Sequence, residues 1–171
     1  MDDTALKITI VPALSEVSPE EWNAVANPPG ERYDPFLTWE FLEAMESSGA
    51  ATPRSGWVPR HLLIRGEDER LRAAMPLYAK MHSRGEFVFD HSWAEAFERA
   101  GGSYYPKLLA AVPFTPVTGR RRLVPPGPDE AQLKAALLAG AIQLAEENDL
   151  SSLHIEYRSP VAHRPAVSLG E

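Results

Sequence analysis

Two periods of apolar spacing run along the chain, one suited to strands and one to helices. From Leu6 to Val11, Ile8, Ile10 and Val11 supply the β-branched bulk of a first strand. Ser18-Pro19-Glu20-Glu21 then offers a serine cap, proline at the first helical position and a glutamate three residues after the cap, so a helix starts there. Asn27-Pro28-Pro29-Gly30 must end it. Thr38 to Ser48 predicts a second helix with Phe41, Leu42 and Met45 as its apolar stripe and Gly49 available to close it. Two apolar runs follow, His61 to Ile64 and Leu71 to Tyr78, flanking the polar turn Gly66-Glu67-Asp68-Glu69. That is the pattern of a hairpin, and Pro76 within its second arm implies a bulge or an edge.

Glu86 to Asp90 reads as a short strand. Ser92-Trp93-Ala94-Glu95 caps a third helix, which Gly101-Gly102 closes. Lys107 to Val112 is a further strand. Asp129, with Gln132 three residues on, opens the longest helix, Glu130 to Asn148, whose apolar face is Leu133, Leu137, Leu138, Ile142 and Ala145. Leu153 to Tyr157 is the last strand. The order β-α-α-β-β-β-α-β-α-β predicts a mixed α/β fold, a central sheet with helices on both faces. Residues 1–157 form one domain in this reading. Residues 158–171 carry no period and are expected to be a disordered tail. The core pattern stops so abruptly after Tyr157 that the expected architecture is half of a longer, two-domain one.

A length of 171 residues suits a single domain with a real core, and sixteen prolines against eleven glycines point to fixed turns rather than flexible linkers. The absence of cysteine excludes disulfides and thiolate metal sites. The opening MDDTALKITIV lacks the basic and apolar regions of a signal peptide, and no apolar run approaches the ~20 residues of a membrane span, so a cytoplasmic location is expected. A net charge of −7 argues against a broad nucleic-acid surface.

Residues 75–119 concentrate histidine, arginine, acids, tyrosines and tryptophan between short apolar runs, the mixture of a site built on loops at strand ends. In His82-Ser83-Arg84-Gly85-Glu86 the arginine suits a carboxylate or phosphate, or the segment is a polar turn with a surface pair. Asp90-His91-Ser92-Trp93 places an acid and an imidazole at a strand-to-helix junction. Either could accept a proton, while Ser92 suits a cap. Tyr104-Tyr105-Pro106-Lys107 offers phenols as donors and an ammonium for an anion, with aromatic packing over Pro106 as the other reading for one tyrosine. Arg120-Arg121-Arg122, separated from the next helix by Leu123 to Pro128, fits a solvated basic turn better than a pyrophosphate cradle. His61, His82, His91, His154 and His163 show no metal-ligand spacing. Residue chemistry thus reaches a polar substrate pocket of unassigned reaction.

Ordered motifs extend that reading. Tyr33 to Leu42 (YDPFLTWEFL), Pro76-Leu77-Tyr78, His82 to Asp90, Tyr104 to Leu108 and Val112 to Gly119 (VPFTPVTG) together resemble a bacterial family of FemAB-like N-acyltransferases tied to peptidoglycan biosynthesis or recognition. The resemblance implies a GNAT-type fold and acyl or aminoacyl transfer to an amine. The acceptor would be a small molecule or a peptide-sugar precursor. The donor would be acyl-CoA or aminoacyl-tRNA, with no tightly bound cofactor. It implies Arg84 and Lys107 as anion holders, Tyr105 as a hydrogen-bond donor, Asp90 or His91 as proton acceptor and Glu86 as the alternative base. His82, Ser83, Trp93 and Tyr104 would line the substrate. The Arg/Gln-x-x-Gly-x-Gly/Ala loop of GNAT domains is missing before Glu130. The chain is therefore expected to supply the first, acceptor-side domain, completed by a second domain or by a homo-oligomer. Two alternatives are a non-catalytic module that recognises the precursor and an inactive truncated half-enzyme.

Overall fold

A computed structural model describes residues 6–84 and 91–156, which form seven strands and four α-helices. Strand β1 (Lys7–Val11) pairs antiparallel with β3 (His61–Arg65), and β3 with β4 (Leu71–Met75). The second sheet takes the order β2 (Trp57–Pro59), β5 (Tyr78–Lys80), β6 (Lys107–Ala110), β7 (Leu153–Ile155). Its first two pairings are antiparallel and the last is parallel. The expected single central sheet is therefore two sheets, of three and four strands.

Proline causes the division. The arm expected to run unbroken from Leu71 to Tyr78 breaks at Pro76-Leu77, and the facing arm breaks at Arg60, just after Pro59. Neither proline can donate to a ladder, and one backbone bond, Arg60 N–H to Leu77 O at 2.8 Å, bridges the bend. One long hairpin thus feeds both sheets. β2 was missed because three residues ending in proline carry no strand period. The expected strand Glu86 to Asp90 and the expected tail lie outside the described residues, as does Tyr157.

Helices cover both faces, as the alternation requires. β3 is central in its sheet and apolar on both sides: Leu62 and Ile64 face one core, Leu63 the other. Helix α4 (Glu130–Glu147) packs across β3, β4, β6 and β7, so it spans the two sheets and makes the right-length connection between parallel β6 and β7. Its buried face is Leu133, Leu137, Gly140, Ala141, Leu144 and Ala145. Ile142, expected in that face, is 44% exposed. Gly140 lets the helix sit close, since a Cβ there would lie 3.2 Å from Leu62. Asp129 precedes α4 without making a side-chain cap.

On the opposite face lie α1 (Pro19–Ala26), capped by Ser18 as its sequence predicts, and α2 (Trp39–Ser47), whose cap is Thr38, a residue expected inside the helix. Trp22, fully buried, donates its Nε1–H to Leu37 O at 2.9 Å and anchors this core. Glu21 of α1 pairs with Arg65 at 2.7 Å, a hydrogen bond that holds the carboxyl below the ordinary glutamate range against the opposing effect of burial. A depressed carboxylate pKa stabilises the fold above the ordinary value and loses that contribution as pH falls through the depressed one. Glu21→Gln is therefore expected to flatten the acid limb of the stability curve. The effect stays below about 1 kcal/mol because the pair is partly solvated.

Candidate functional site

One end of the second sheet gathers the candidate chemistry. Lys80, the last residue of β5, and Lys107, the first of β6, stand directly opposite each other, and both side chains are fully buried. Like charges opposite each other are unfavourable, so each ammonium needs neighbours. Lys80 Nζ donates to the carbonyls of His82 and Arg84, both at 2.6 Å, and lies 4.7 Å over the Trp57 ring. Lys107 Nζ lies 5.2 Å from the Tyr104 ring and 5.5 Å from the Tyr105 ring.

The turn at 82–84 wraps Lys80 by its main chain, while the side chain of Arg84 is exposed. His82 Nδ1 accepts from Arg84 N–H at 3.2 Å, and its ring covers Gly56. Burial, then the charges of Lys80 and Arg84, hold His82 below the ordinary histidine value, so the ring is uncharged at neutral pH. Gly56 has φ +78° and a Cβ there would fall 2.3 Å from His82 Nε2. Gly56→Ala is expected to cost about 1–2 kcal/mol from the left-handed backbone alone. It should also displace His82, and an NMR titration would then find the imidazole closer to its ordinary pKa.

Tyr104 and Tyr105 meet edge to face at 5.0 Å, and Tyr104 also meets His154 of β7 and Phe97 of α3 (His91–Arg99). Ser151 donates its hydroxyl to Tyr104 O, and Ser152 Oγ lies 2.8 Å from His154 Nε2. The structure therefore brings His82, Ser83, Arg84, Tyr104, Tyr105 and Lys107 to one sheet end. It adds Lys80, Trp57 and His154, which the sequence reading did not select. Trp57 and Lys80 stand in short strands with no readable period, and His154 in the last strand carries no local sign of the ring it meets. Glu86 and Asp90 lie outside the described residues. His91 opens α3, Trp93 lies in its first turn, and Ser92 sits inside the helix rather than capping it.

The rest of the 75–119 stretch goes elsewhere. Beyond the carboxyl end of β6 the chain turns, and Val117, Thr118 and Gly119 meet Tyr33, Asp34 and Phe36 across a cavity of about 640 Å³. Two motifs far apart in sequence thus share one pocket. Asn27 fixes the first: its side chain accepts from Asp34 N–H at 2.7 Å and donates to Asp34 O at 3.0 Å. Gly119 permits the approach of the second, since a Cβ there would lie 2.6 Å from Asp34 Oδ2 and 3.0 Å from Arg121 Nη1.

The arginine turn is not the solvated one expected. Arg121 is 2% exposed and donates to Val117 O at 2.6 Å. Burial pulls its guanidinium below the ordinary arginine value, opposed by the charges of Asp34 and Glu156. Arg120 reaches Ala26 O at 2.6 Å. No phosphate cradle forms at α4, whose entry carries Pro128, Asp129 and Glu130.

A third polar group was invisible in the sequence. His61 is fully buried, and its Nδ1 accepts from Leu77 N–H at 3.3 Å, which leaves the ring proton on Nε2. Nε2 donates to Glu46 Oε1 at 2.6 Å, and Glu46 Oε2 accepts from Leu14 N–H at 2.8 Å. Glu46 forms part of the wall of a cleft of about 490 Å³ between α2 and β2. Beside the pair, the buried Tyr78 hydroxyl has no hydrogen-bond partner among the described residues. Burial, then the charge of Glu46, raises its pKa well above the ordinary tyrosine value.

Among the described residues, no three His, Asp or Glu side chains cluster to hold a metal, and no helix is long and apolar enough to cross a membrane. No curated protein and no solved structure matches the chain. Residues 13–168 match the family model for FemAB-like proteins of peptidoglycan biosynthesis/recognition. That span contains every motif meeting at the sheet end and at the 640 Å³ cavity, and the chain belongs to the FemAB-like family.

Proposed function

We propose that the chain is the acceptor-side domain of an N-acyltransferase that adds an acyl or aminoacyl group to an amine of a peptide-sugar peptidoglycan precursor in the cytoplasm. The observation that carries this reading is the pair of opposed, buried lysines, Lys107 against Tyr104 and Tyr105 and Lys80 over Trp57, in a chain of this family. A strand, a long connection and a helix (β6 to α4), followed by a parallel strand, also fit the GNAT-type arrangement the motifs imply. Acyl transfer to an amine depends on holding the deprotonated amine near the donor carbonyl and on stabilising the oxyanion. In this scheme Lys107 and the exposed Arg84 hold the anionic part of the precursor. Tyr105 donates a hydrogen bond at the reacting carbonyl. Asp90 or His91 takes the amine proton, with Glu86 as the alternative base. His82, Ser83, Trp93 and Tyr104 complete the binding wall.

The donor, acyl-CoA or aminoacyl-tRNA, would come from a second domain or a second copy. The acidic, proline-bounded start of α4 supports that division, because it is a poor place for a pyrophosphate. The same observation favours one other reading, a module that recognises the precursor without transferring to it. Thermal-shift measurements separate them. Stabilisation by the precursor is expected of both; a further response to acyl-CoA or aminoacyl-tRNA once the donor-side partner is added supports the transferase, and its absence from that assembly supports recognition. No response to any of them contradicts both. Arg84→Ala should weaken precursor binding and leave the melting temperature of the free protein unchanged, since this side chain is exposed. Unchanged affinity would remove Arg84 from the site.

A further inference from the structure

The cavity between residues 31–36 and 117–120 lies beyond the carboxyl end of β6, away from the lysine pair, and acyl transfer leaves it unused. Its volume of about 640 Å³ is ample for a small ligand. Tyr33, Pro35, Phe36 and Val117 give it an apolar wall, and Glu31 and Arg120 give it charges of both signs.

Arg120 is held in a way that leaves one edge unspent. Its Nη2 donates to Ala26 O at 2.6 Å and lies 3.4 Å from Arg32 O, which fixes the guanidinium plane. Its Nη1 is buried and has no hydrogen-bond partner among the described residues, for Glu31 Oε2 stops at 3.9 Å, beyond hydrogen-bond reach. A buried N–H without an acceptor carries a desolvation cost that an incoming oxygen would remove. Glu31, with a side chain 39% exposed, is free to swing and uncover it. Behind this position Arg121 is 2% exposed and its Nε also lacks a hydrogen-bond partner among the described residues.

The charge pattern selects among anions. Glu31 and Asp34 line the cavity with Arg120 and the exposed Arg32, so its charges balance and leave no excess of positive charge for a doubly charged phosphate at the open edge of Arg120. A single carboxylate suits that edge, and a nearby ammonium would satisfy Glu31 once it has moved. We infer that this cavity is a second binding site, for a free amino acid or short peptide. The α-carboxylate sits on Arg120, the α-ammonium on Glu31, and the apolar side chain lies against Phe36 and Val117. The inference does not rest on the acyl-transfer reading, because none of the residues assigned to that reaction lines the cavity.

Calorimetric titration with the dipeptide alanyl-phenylalanine tests it, alongside the C-terminal amide and the N-acetyl form. The parent should bind, the amide at least about tenfold more weakly, and the acetyl form a few-fold more weakly. Arg120→Gln should remove the preference for acid over amide. Glu31→Gln, at a half-exposed rim position, should bring the parent to the affinity of the acetyl form and leave the acetyl form unchanged. Circular dichroism melts establish whether both variants fold. If Arg120→Gln does not fold, the three ligands and Glu31→Gln still decide. Equal affinity of acid and amide overturns the inference. So does the absence of binding by the parent dipeptide at millimolar concentration, or a folded Arg120→Gln variant that binds like the wild type.

Discussion

Glu46→Ala should cost the fold about 2–5 kcal/mol in chemical denaturation, because it leaves two donors unsatisfied. The carboxylate joins α2 to two distant parts of the chain. One oxygen accepts from Leu14 N–H ahead of α1, and the other accepts from His61 in β3. His61 in turn accepts from Leu77 N–H at the bend where the two sheets part. Truncation leaves the His61 Nε2–H and the Leu14 N–H without acceptors. Glu46→Gln should cost less, about 1–3 kcal/mol, because the amide keeps one acceptor oxygen and turns a donor toward the other N–H. A loss below about 1 kcal/mol for the alanine variant would mean that the Glu46–His61 link does not hold the bend.

Trp57→Ala is the second large effect, again about 3–5 kcal/mol. Trp57 is 1% exposed and meets Tyr78 at 5.4 Å, Phe114 at 5.4 Å and the Lys80 ammonium at 4.7 Å. Its removal empties the small core that supports the lysine pair, so precursor affinity should fall together with stability. Trp57→Phe separates packing from polarity. The indole Nε1 is buried with no hydrogen-bond partner among the described residues, so phenylalanine gives up no bond and removes a desolvated donor. That variant should lose clearly less than the alanine variant in a denaturant melt and retain most of the precursor affinity. Equal losses would show that the indole nitrogen finds an acceptor in solution.

What the sequence made legible was local. Ser18 caps α1 through a side chain that accepts from the third residue on, a four-residue pattern readable without a structure. Gly49 and Gly101 take the positive φ that ends α2 and α3. The hairpin turn at 66–69 was legible for the same reason. Its consequence was not, because Pro59 and Pro76 act as a pair across two strands, and only the pairing of Arg60 with Leu77 shows where the sheet divides. Ile142 was misplaced because an apolar count cannot see that α4 turns Gly140 and Ala141 to the sheets instead.

The site followed the same division between local and long-range information. Tyr104, Tyr105, Lys107 and the 82–84 turn were chosen for their residue types, and they do share a sheet end. The opposition of Lys80 to Lys107 depends on the register between β5 and β6, which nothing in either strand announces. The link of Glu46 to His61 and the burial of Arg121 are likewise products of packing. A run of three arginines reads as solvated until Val117 O and Asp34 are known to surround one of them.

The lysine–tyrosine sheet end is the part of this account on which the proposed function depends. Its most direct test is two-dimensional NMR of the labelled protein, titrated with a soluble nucleotide-linked muramoyl pentapeptide. Saturable shifts are expected, concentrated at Trp57, Lys80, His82, Tyr104, Tyr105, Lys107 and His154 and lost in Lys107→Met. Shifts confined to other parts of the molecule, or no shift at saturating precursor, would contradict it.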